Sequence, residues 1–285
     1  MTYAGRRSGI FRTGAIFAQA LALLALAGPA VASQTPVAPL IFAGSGTNLP
    51  IVRALSLAFQ RSHPAIAIDV PASIGSSGGV QAAADGAVAL GLISRELKDT
   101  EKGKGLTVLH YARTPLIIGV HPSVAEDNIT NAELLDIYRG KKRDWRDNRD
   151  IVVLTREPSD SSIEVLAKGV PGFREVYDES QQARRWTTLL KDIVMNETLA
   201  KTPHAIGVSD LGALTIERHG IKPLKVNGVA PTLRNLQNGR YPLYKTLAFV
   251  YRQDKLPAGA RLFMEYVRSK EGEQILKQNG YLPAR

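Results

Sequence analysis

The sequence of 285 residues contains no cysteine, few aromatic residues and no apolar run long enough to span a bilayer. Without cysteine there is no disulfide framework, no thiolate metal site and no cysteine nucleophile. The longest uncharged apolar stretch, residues 14–27, is shorter than the ~20 residues that a transmembrane helix needs. Glycine and proline are near average and 44% of the residues are apolar, which excludes collagen-like and disordered classes. The sequence therefore predicts a globular protein of one large or two medium domains.

The first 32 residues have the features of an export signal. Arg6, Arg7 and Arg12 form a basic start, the apolar stretch follows, and residues 30–32 read Ala-Val-Ala, the A-x-A spacing of a cleavage site. We expect cleavage after residue 32 and a periplasmic or secreted mature protein. The arginine pair leaves twin-arginine export open beside general secretion.

Basic residues outnumber acidic ones, 36 to 26, which gives a formal net charge of +10. A cationic protein favours anionic ligands in a general way, and its charge also keeps it soluble. Residues 139–150 contain six cations interspersed with three aspartates. Such a patch could bind nucleic acid, but an exported protein meets little of it and the interspersed acids indicate a solvated surface. We expect no nucleic-acid partner, and the patch could instead dock a membrane transporter.

Strand-like and helix-like segments alternate along the chain. Apolar, β-favouring runs predict strands at residues 40–43, 66–70, 90–93, 108–111, 116–120, 151–154, 205–208, 224–226 and 246–251. Helical patterns occur at residues 49–61, 80–84, 132–139, 162–168, 184–194, 258–268 and 272–278. Thr130 and Glu133 form a capping box at the third of these helices. The alternation predicts an α/β fold with mainly parallel sheets covered on both faces, and the length suits two lobes.

Three loops rich in Ser, Thr and Gly occur at strand-to-helix junctions, at residues 43–48, 75–79 and 155–162. In parallel α/β sheets, ligands bind beyond the carboxyl ends of strands, where helix N-termini offer unpaired N–H groups. Hydroxyls donate further hydrogen bonds, and Arg156 supplies a charged fork for an oxyanion. Any one loop taken alone is better explained by ordinary helix caps and turns. The three together predict a site for a tetrahedral oxyanion.

The order of several motifs resembles the periplasmic phosphate-binding proteins of ABC transporters. The motifs are GSGTNLP at 44–50, GSSGGV at 75–80, SREL at 94–97, the Arg-led polar loop at 156–162, LLDIYRGKKRDW at 134–145, TPHAIGVSDLGA at 202–213, RYPLYKTLAFVY at 240–251 and GYLP at 280–283. Each motif alone is a weak indication of the family, but their order along the chain is specific to it. The resemblance covers the chain from about residue 40 to its end.

This resemblance implies a bilobal, type II periplasmic-binding-protein fold, with two α/β lobes joined by a two-segment hinge. Residues 36–115 plus 243–285 would form lobe 1, and residues 116–242 would form lobe 2. The implied function is a monomeric, non-enzymatic binding protein that captures inorganic phosphate or a similar oxyanion and delivers it to an ABC transporter permease, with no cofactor and no metal. The ligand-contacting positions carried over are Thr47 or Asn48, Ser76, Ser77, Ser94, Arg156, Asp160, Ser161 and Ser162.

The third loop departs from the family pattern, which has Arg followed by a Gly-Ser-Gly-Thr run. Residues 159–162 read Ser-Asp-Ser-Ser, without glycine, and Ser94 stands where some members have an Asp that accepts the proton of monohydrogen phosphate. Asp160 could accept that proton from the opposite lobe, which predicts a preference for phosphate over sulfate. Asp160 or Ser161 could also simply cap the next helix, with Ser161 and Glu164 as a capping box. A shift to another oxyanion, or loss of tight binding, is a further interpretation of the altered loop.

Two other classes of function remain open. One is an oxyanion-binding sensor or scaffold that feeds no transporter. The other is a secreted serine hydrolase, because residues 75–79 formally read G-x-S-x-G, with Asp210 and His219 following in the required order. Four residues separate Val70 from this motif, whereas a nucleophile elbow needs a sharp strand-to-helix turn. The five histidines show no metal-ligand spacing.

Overall fold

The computed structural model describes residues 38–284, in which twelve strands and eleven helices follow one another along the chain. The strands are β1 Leu40–Gly44, β2 Ile68–Asp69, β3 Leu90–Ile93, β4 Thr107–Val120, β5 Asn128–Ile129, β6 Val152–Arg156, β7 Thr187–Leu189, β8 Ala205–Asp210, β9 Lys222–Pro223, β10 Lys225–Val226, β11 Tyr244–Tyr251 and β12 Leu282–Pro283. The helices are α1 Leu49–Ser62, α2 Gly75–Asp85, α3 Asp99–Lys102, α4 Asn131–Arg139, α5 Ser161–Gly169, α6 Phe173–Gln182, α7 Asp192–Lys201, α8 Leu211–Glu217, α9 Leu233–Gln237, α10 Ala258–Val267 and α11 Lys270–Gln278. The predicted export signal at residues 1–32 lies outside the described residues.

A ten-stranded sheet has its main strands in the order β2-β1-β3-β11-β4-β8-β6-β7. At one end β2, β1 and β3 are parallel, and at the other end β8, β6 and β7 are parallel. Between them, β11 and β4 run antiparallel to each other and to their outer neighbours. The sheet is therefore mixed, and the prediction of mainly parallel sheets holds for the two ends only. Helix-strand alternation predicts a parallel pair where a helix crosses over, and it carries no information about the strands that join the two ends.

The long strand β4 connects the two parallel groups. Residues 107–115 pair with β11, and residues 116–120 pair with β8. The sequence predicts two separate strands here because polar residues interrupt the apolar pattern. One of them, Thr114, is fully buried, and its hydroxyl donates to the carbonyl of Gly280 at 3.0 Å. A satisfied polar side chain thus lets the strand continue through the interruption.

Two large apolar clusters fill the interior on either side of this connection. One is built from residues between Phe42 and Ala112 and between Leu247 and Tyr281, and the other from residues between Leu116 and Leu243. In the first cluster, Phe263 packs against Phe42, Phe59 and Phe249. Burial of such aromatic and aliphatic surface, at about 25 cal/mol per Å², contributes most of the free energy that stabilises both parts.

The predicted helix at residues 184–194 is wrong. Residues 187–189 form β7, which pairs in parallel with residues 154–156 of β6, and α7 begins only at Asp192. The β-branched Thr187 and Thr188 fit a strand, and the free edge of β6 supplies its partner.

Helices α3, α6, α8 and α9 were not predicted, although α6 buries Phe173, Val176, Tyr177 and Ser180 at helical spacing.

The predicted capping box of α4 is confirmed. The backbone N–H of Glu133 donates to Oγ1 of Thr130 at 3.1 Å, and the backbone N–H of Thr130 donates to Oε2 of Glu133 at 3.0 Å.

Within residues 38–284, none of the helices combines the length and the apolar composition needed to cross a bilayer.

Candidate anion-binding site

A cavity of about 350 Å³ lies at the carboxyl ends of β1, β6 and β7, at the lower end of the ~300–1,000 Å³ range of small-molecule pockets. Residues from both parallel groups of strands surround it. They are Ser45, Gly46, Ser73, Ile74, Gly75, Ser76, Ser77, Arg156, Glu157, Ser159, Asp160, Ser161, Leu190, Lys191 and Asp192.

The N-termini of four helices meet at this cavity. A 3₁₀ turn at Gly46–Asn48 leads into α1, and the first residues of α2, α5 and α7 line the wall directly. Their unpaired N–H groups and positive dipole ends favour an anion. The three Ser/Gly-rich loops predicted the first three of these N-termini. The fourth, at α7, was missed because the sequence pattern placed its start inside a longer helix, although Asp192 after a strand-like Thr-Thr-Leu was the available signal.

Serine hydroxyls form a cluster that connects the two parallel groups of strands. Ser94 Oγ lies 2.7 Å from Ser45 Oγ, 2.8 Å from Ser161 Oγ and 3.4 Å from Ser76 Oγ. Ser94 follows β3 and Ser161 opens α5, so this contact spans the parallel groups. Ser161 also lines a neighbouring cavity of about 380 Å³ together with Ser94. Ser77 lines the first cavity and accepts a hydrogen bond from Nη2 of Arg95 at 2.9 Å.

Arg156 stands at the end of β6 with its side chain only 3% exposed. Nη1 donates to the carbonyl of Leu189 at 2.9 Å, and Nη2 donates to Oδ2 of Asp160 at 2.7 Å and to Oδ2 of Asp192 at 3.4 Å. Within residues 38–284, its buried Nε finds no acceptor. A buried donor without a partner is costly, and in a cavity wall it indicates the place of a ligand acceptor.

Asp160 caps α5 and pairs with Arg156. Its Oδ1 accepts from the backbone N–H of Ser162 at 2.8 Å. Burial acts to raise the pKa of Asp160, but the charges of Lys245 and Arg156 outweigh burial and hold that pKa below its ordinary value. The carboxylate is thus ionised, and it can only accept hydrogen bonds.

The predicted capping box between Ser161 and Glu164 is wrong. Asp160 is the N-cap, so Glu164 lies one position too late to return a bond to the cap. Instead, Oε1 of Glu164 lies 3.8 Å from Nε of Arg95 and 3.8 Å from Nζ of Lys98. Both cations belong to the segment after β3, so these contacts also span the two parallel groups.

Lys245 is a buried cation beside the cavity that sequence reasoning missed. Its side chain is 1% exposed, and Nζ donates to Oγ1 of Thr47 at 2.7 Å and lies 3.7 Å from Oδ1 of Asp192. It occupies a buried position of β11, one residue before the strand predicted at residues 246–251. A lysine in an otherwise buried strand was the one available signal.

Four of the predicted contact residues do not line this cavity: Thr47, Asn48, Ser94 and Ser162. The Thr47 hydroxyl is bound by Lys245, and Asn48 donates from Nδ2 to the carbonyl of Ile93 at 3.1 Å and accepts from the hydroxyl of Tyr111 at 2.6 Å. Ser162 is buried behind Asp160. The structure brings Ser76, Ser77, Arg156, Asp160 and Ser161 together in the cavity wall, with Ser94 bonded behind them.

The serine hydrolase arrangement is not assembled in the described residues. Ser77 receives its hydrogen bond from Arg95, whereas Nε2 of His219 lies 3.0 Å from Oε2 of Glu217. Asp210 is buried and caps α8, where it accepts from the backbone N–H of Ala213 at 2.9 Å. A triad needs its base within hydrogen-bond reach of the nucleophile.

Known proteins and solved structures are similar to this chain over most of its length. Phosphate-binding protein PstS of Bacillus subtilis (strain 168) is 26% identical over 251 residues, which are 86% of this chain and 80% of that protein. A structure from Clostridium perfringens, of an ABC transporter substrate-binding protein with bound phosphate, superposes with a TM-score of 0.78 at 23% identity and covers 87% of this chain and 100% of that one. An ABC-type phosphate transport receptor from Vibrio cholerae superposes with a TM-score of 0.63 at 20% identity, over 85% and 99% of the two chains.

These superpositions confirm the predicted α/β, type II periplasmic-binding-protein fold. The family model described as the PBP superfamily domain matches residues 29–271. A match over most of the length, joined to this fold and to a cavity between two parallel groups of strands, shows that the chain belongs to the PBP superfamily.

Proposed function

We propose that this protein captures inorganic phosphate in the cavity and delivers it to an ABC transporter. The observation that carries the proposal is the convergence of four helix N-termini, a serine cluster and the buried Arg156 on one small cavity. Backbone N–H groups, hydroxyls and a guanidinium fork are the donors that a tetrahedral oxyanion requires. The names of the relatives, which are phosphate-binding proteins, support the same ligand.

The proposal includes two lobes that close on the ligand, residues 36–115 plus 243–285 and residues 116–242. The division of the interior into two apolar clusters supports it, because the gaps between the clusters lie at residues 112–116 and 243–247. A chain that crosses between lobes at β4 and again before β11 can act as a hinge. Closure would exclude water from the ligand and present a new surface to the transporter.

Export through residues 1–32 and a periplasmic or secreted location belong to the same proposal. Their support is the sequence pattern, together with the solved structures described as an ABC transporter substrate-binding protein and an ABC-type phosphate transport receptor. We expect binding without turnover, since the serine, histidine and aspartate of the hydrolase motif have other partners.

Asp160 is proposed to select a protonated ligand. An ionised carboxylate in the cavity wall repels a fully ionised oxyanion, but it accepts a hydrogen bond from the hydroxyl of monohydrogen or dihydrogen phosphate. The depressed pKa of Asp160 supports this role because the group stays ionised at neutral pH. Sulfate carries no proton at that pH and should bind more weakly.

Calorimetric titration of the purified mature protein with phosphate, sulfate and molybdate tests the proposal. A micromolar complex requires about 8 kcal/mol, and each charge-assisted hydrogen bond contributes about 1.5–3 kcal/mol, so five to eight donors suffice. We expect phosphate to bind and sulfate to bind measurably more weakly. Equal affinities would overturn the role of Asp160, and the absence of binding to any of the three anions would overturn the proposed function.

The matched pair Arg156→Ala and Ser45→Ala locates the ligand. Truncation of a buried charged donor costs about 2–5 kcal/mol, so Arg156→Ala should weaken phosphate binding about thirtyfold or more. Loss of one neutral hydroxyl costs about 0.5–1.5 kcal/mol, so Ser45→Ala should weaken it about tenfold at most. Arg156→Lys keeps the positive charge but loses the planar guanidinium that can donate two hydrogen bonds to one anion. Undiminished phosphate affinity in a folded Arg156→Lys protein would contradict the assignment.

A further inference from the structure

The carboxylate of Asp192 lies between the two buried cations beside the cavity. Its Oδ2 is 3.4 Å from Nη2 of Arg156, and its Oδ1 is 3.7 Å from Nζ of Lys245. Arg156 comes from the end of β6, whereas Lys245 comes from β11. One side chain at the start of α7 thus partly neutralises the positive charge contributed by two separate strands.

Both cations hold donors that the protein does not use. The side chains of Arg156 and Lys245 are 3% and 1% exposed. Within residues 38–284, Arg156 Nε has no acceptor, and the ammonium of Lys245 makes its one hydrogen bond to Thr47. Buried donors normally find acceptors. The pair is therefore suited to a ligand with more acceptor oxygens than one carboxylate can supply.

Gly46 allows Asp192 to come close to the 3₁₀ turn before α1. A Cβ built on Gly46 would collide with the Asp192 carboxylate, so the carboxylate oxygens lie directly against the backbone of this turn. Both residues line the cavity, and the Asp192 side chain keeps 22% of its surface exposed. The negative group of Asp192 thus occupies a position beside a helix N-terminus and two cations, where an oxyanion would be favoured.

We propose that Asp192 is an internal competitor of the bound anion: it neutralises Arg156 and Lys245 in the free protein and leaves them when the oxyanion enters, so that Lys245 supplies a second positive charge to the ligand. This inference rests on the proposed function. Two anions sharing the same cations repel each other. The apparent affinity for phosphate is therefore reduced by the fraction of molecules in which Asp192 holds the cations.

The first test is calorimetric titration of Asp192→Asn with inorganic phosphate. Asn keeps the size of the side chain and removes its charge, so the affinity should rise about fivefold or more, the lower end of typical coupling between sites. Glu197→Gln is the matched control, because Glu197 is an exposed residue of the same helix α7 and lies outside the lining of the cavity. We expect a change of less than about twofold there. An unchanged or weakened affinity of Asp192→Asn overturns the inference.

The second test needs no ligand. Asp192→Asn leaves two buried cations without one of their partners, so the thermal unfolding midpoint of the free protein should fall by a few degrees. Adding roughly 10 mM phosphate should then raise the midpoint of Asp192→Asn more than that of the wild type. An unchanged midpoint in the free protein would overturn the proposal that Asp192 neutralises Arg156 and Lys245. This outcome can be read even if the wild type binds no phosphate, so it is separate from a failure of the proposed function.

Lys245→Met separates the role of the second cation from that of Asp192. Met preserves most of the apolar volume of the buried side chain. Phosphate binding should weaken about tenfold in Lys245→Met, and also when Lys245→Met is combined with Asp192→Asn. Undiminished affinity in the folded double variant would show that Lys245 only neutralises Asp192 and donates nothing to the ligand, which would overturn that part of the inference.

Discussion

At the scale of single residues, the buried carboxyl of Asp210 is the group whose titration should be visible in stability. It lies at the end of β8 and caps α8. Burial raises the pKa of Asp210 to about 6, and the nearby charges of Asp192 and Glu217 act in the same direction, whereas Lys245 opposes them. The neutral form is thus favoured in the folded protein relative to the unfolded chain.

Asp210→Asn should therefore alter how stability depends on pH. Between about pH 4 and pH 6 the folded protein holds a proton that the unfolded chain has lost, so the contribution of Asp210 to the unfolding free energy falls as pH rises through this window. The gap between the ordinary pKa of 3.8 and about 6 corresponds to on the order of 3 kcal/mol. Asn does not titrate and can still cap the helix.

Urea denaturation of both proteins between pH 4 and pH 7 measures this difference. The wild type should lose stability relative to Asp210→Asn as the pH rises, and the difference should level off above about pH 7. Parallel profiles for the two proteins would contradict the raised pKa. Exposed carboxyls contribute equally to both profiles, so their titration cancels.

At the scale of elements, α2 packs directly against the backbone of the sheet at Gly79, and this contact places its first turn in the cavity wall. A Cβ at Gly79 would lie 2.9 Å from Gly44 Cα and 2.9 Å from the carbonyl oxygen of Leu92. Both are backbone atoms of β1 and β3, so they cannot move away by a change of rotamer as a side chain could. Ser76 and Ser77, one turn earlier, therefore owe their position in the cavity wall to a glycine that makes no contact with it.

Gly79→Ala should destabilise the protein, against the usual trend for helices. Ala is favoured over Gly in a helix by about 1 kcal/mol, but overpacking typically costs about 1–3 kcal/mol. The helix would have to move away from the sheet, so phosphate affinity should fall as well. Gly103→Ala is the control, because it ends α3 with a φ of −76° and has nothing within 4 Å of a new Cβ. Chemical denaturation and calorimetry measure both effects, and equal stability of the two variants would contradict this packing argument.

At the scale of the whole molecule, polar contacts connect the two parallel groups of strands beside the cavity. Ser94 and Ser161 meet at 2.8 Å, and Glu164 lies 3.8 Å from both Arg95 and Lys98. Arg95 is itself fixed by Glu101, with contacts of 2.7 Å and 2.8 Å from its two terminal nitrogens. These contacts are made by polar and charged groups, which can exchange them for water when the cleft opens.

Glu164→Gln should shift the free protein toward an open form. Partly exposed ion pairs contribute about 0–1 kcal/mol, which changes an opening equilibrium by up to about fivefold. Small-angle scattering should give a larger radius of gyration for ligand-free Glu164→Gln than for the wild type, and saturating phosphate should remove the difference. Glu175→Gln, which removes the same charge from an exposed position on α6, should behave as the wild type. A radius of gyration that is unchanged in Glu164→Gln would show that other contacts hold the cleft closed.

The sequence by itself determined most of the longer strands, three of the four helix N-termini at the cavity, the guanidinium of Arg156, and helices α1, α2, α4, α5, α10 and α11. These are local properties: apolar periodicity, capping residues such as Thr130, and small residues after a strand all act within a few positions of the chain. The order of motifs also indicated the fold, which the superpositions confirm. Where the local signal was ambiguous, as at residues 184–194, the sequence-based prediction failed.

Only the tertiary structure decided which charges meet at the cavity. Lys245 and Asp192 are far apart in the chain, and each resembles an ordinary surface residue until β11 and the start of α7 are packed against the turn at Gly46. Strand β7 likewise exists because the edge of β6 is available to it. Coulomb energies depend on distance and burial, and neither quantity is contained in spacing along the sequence.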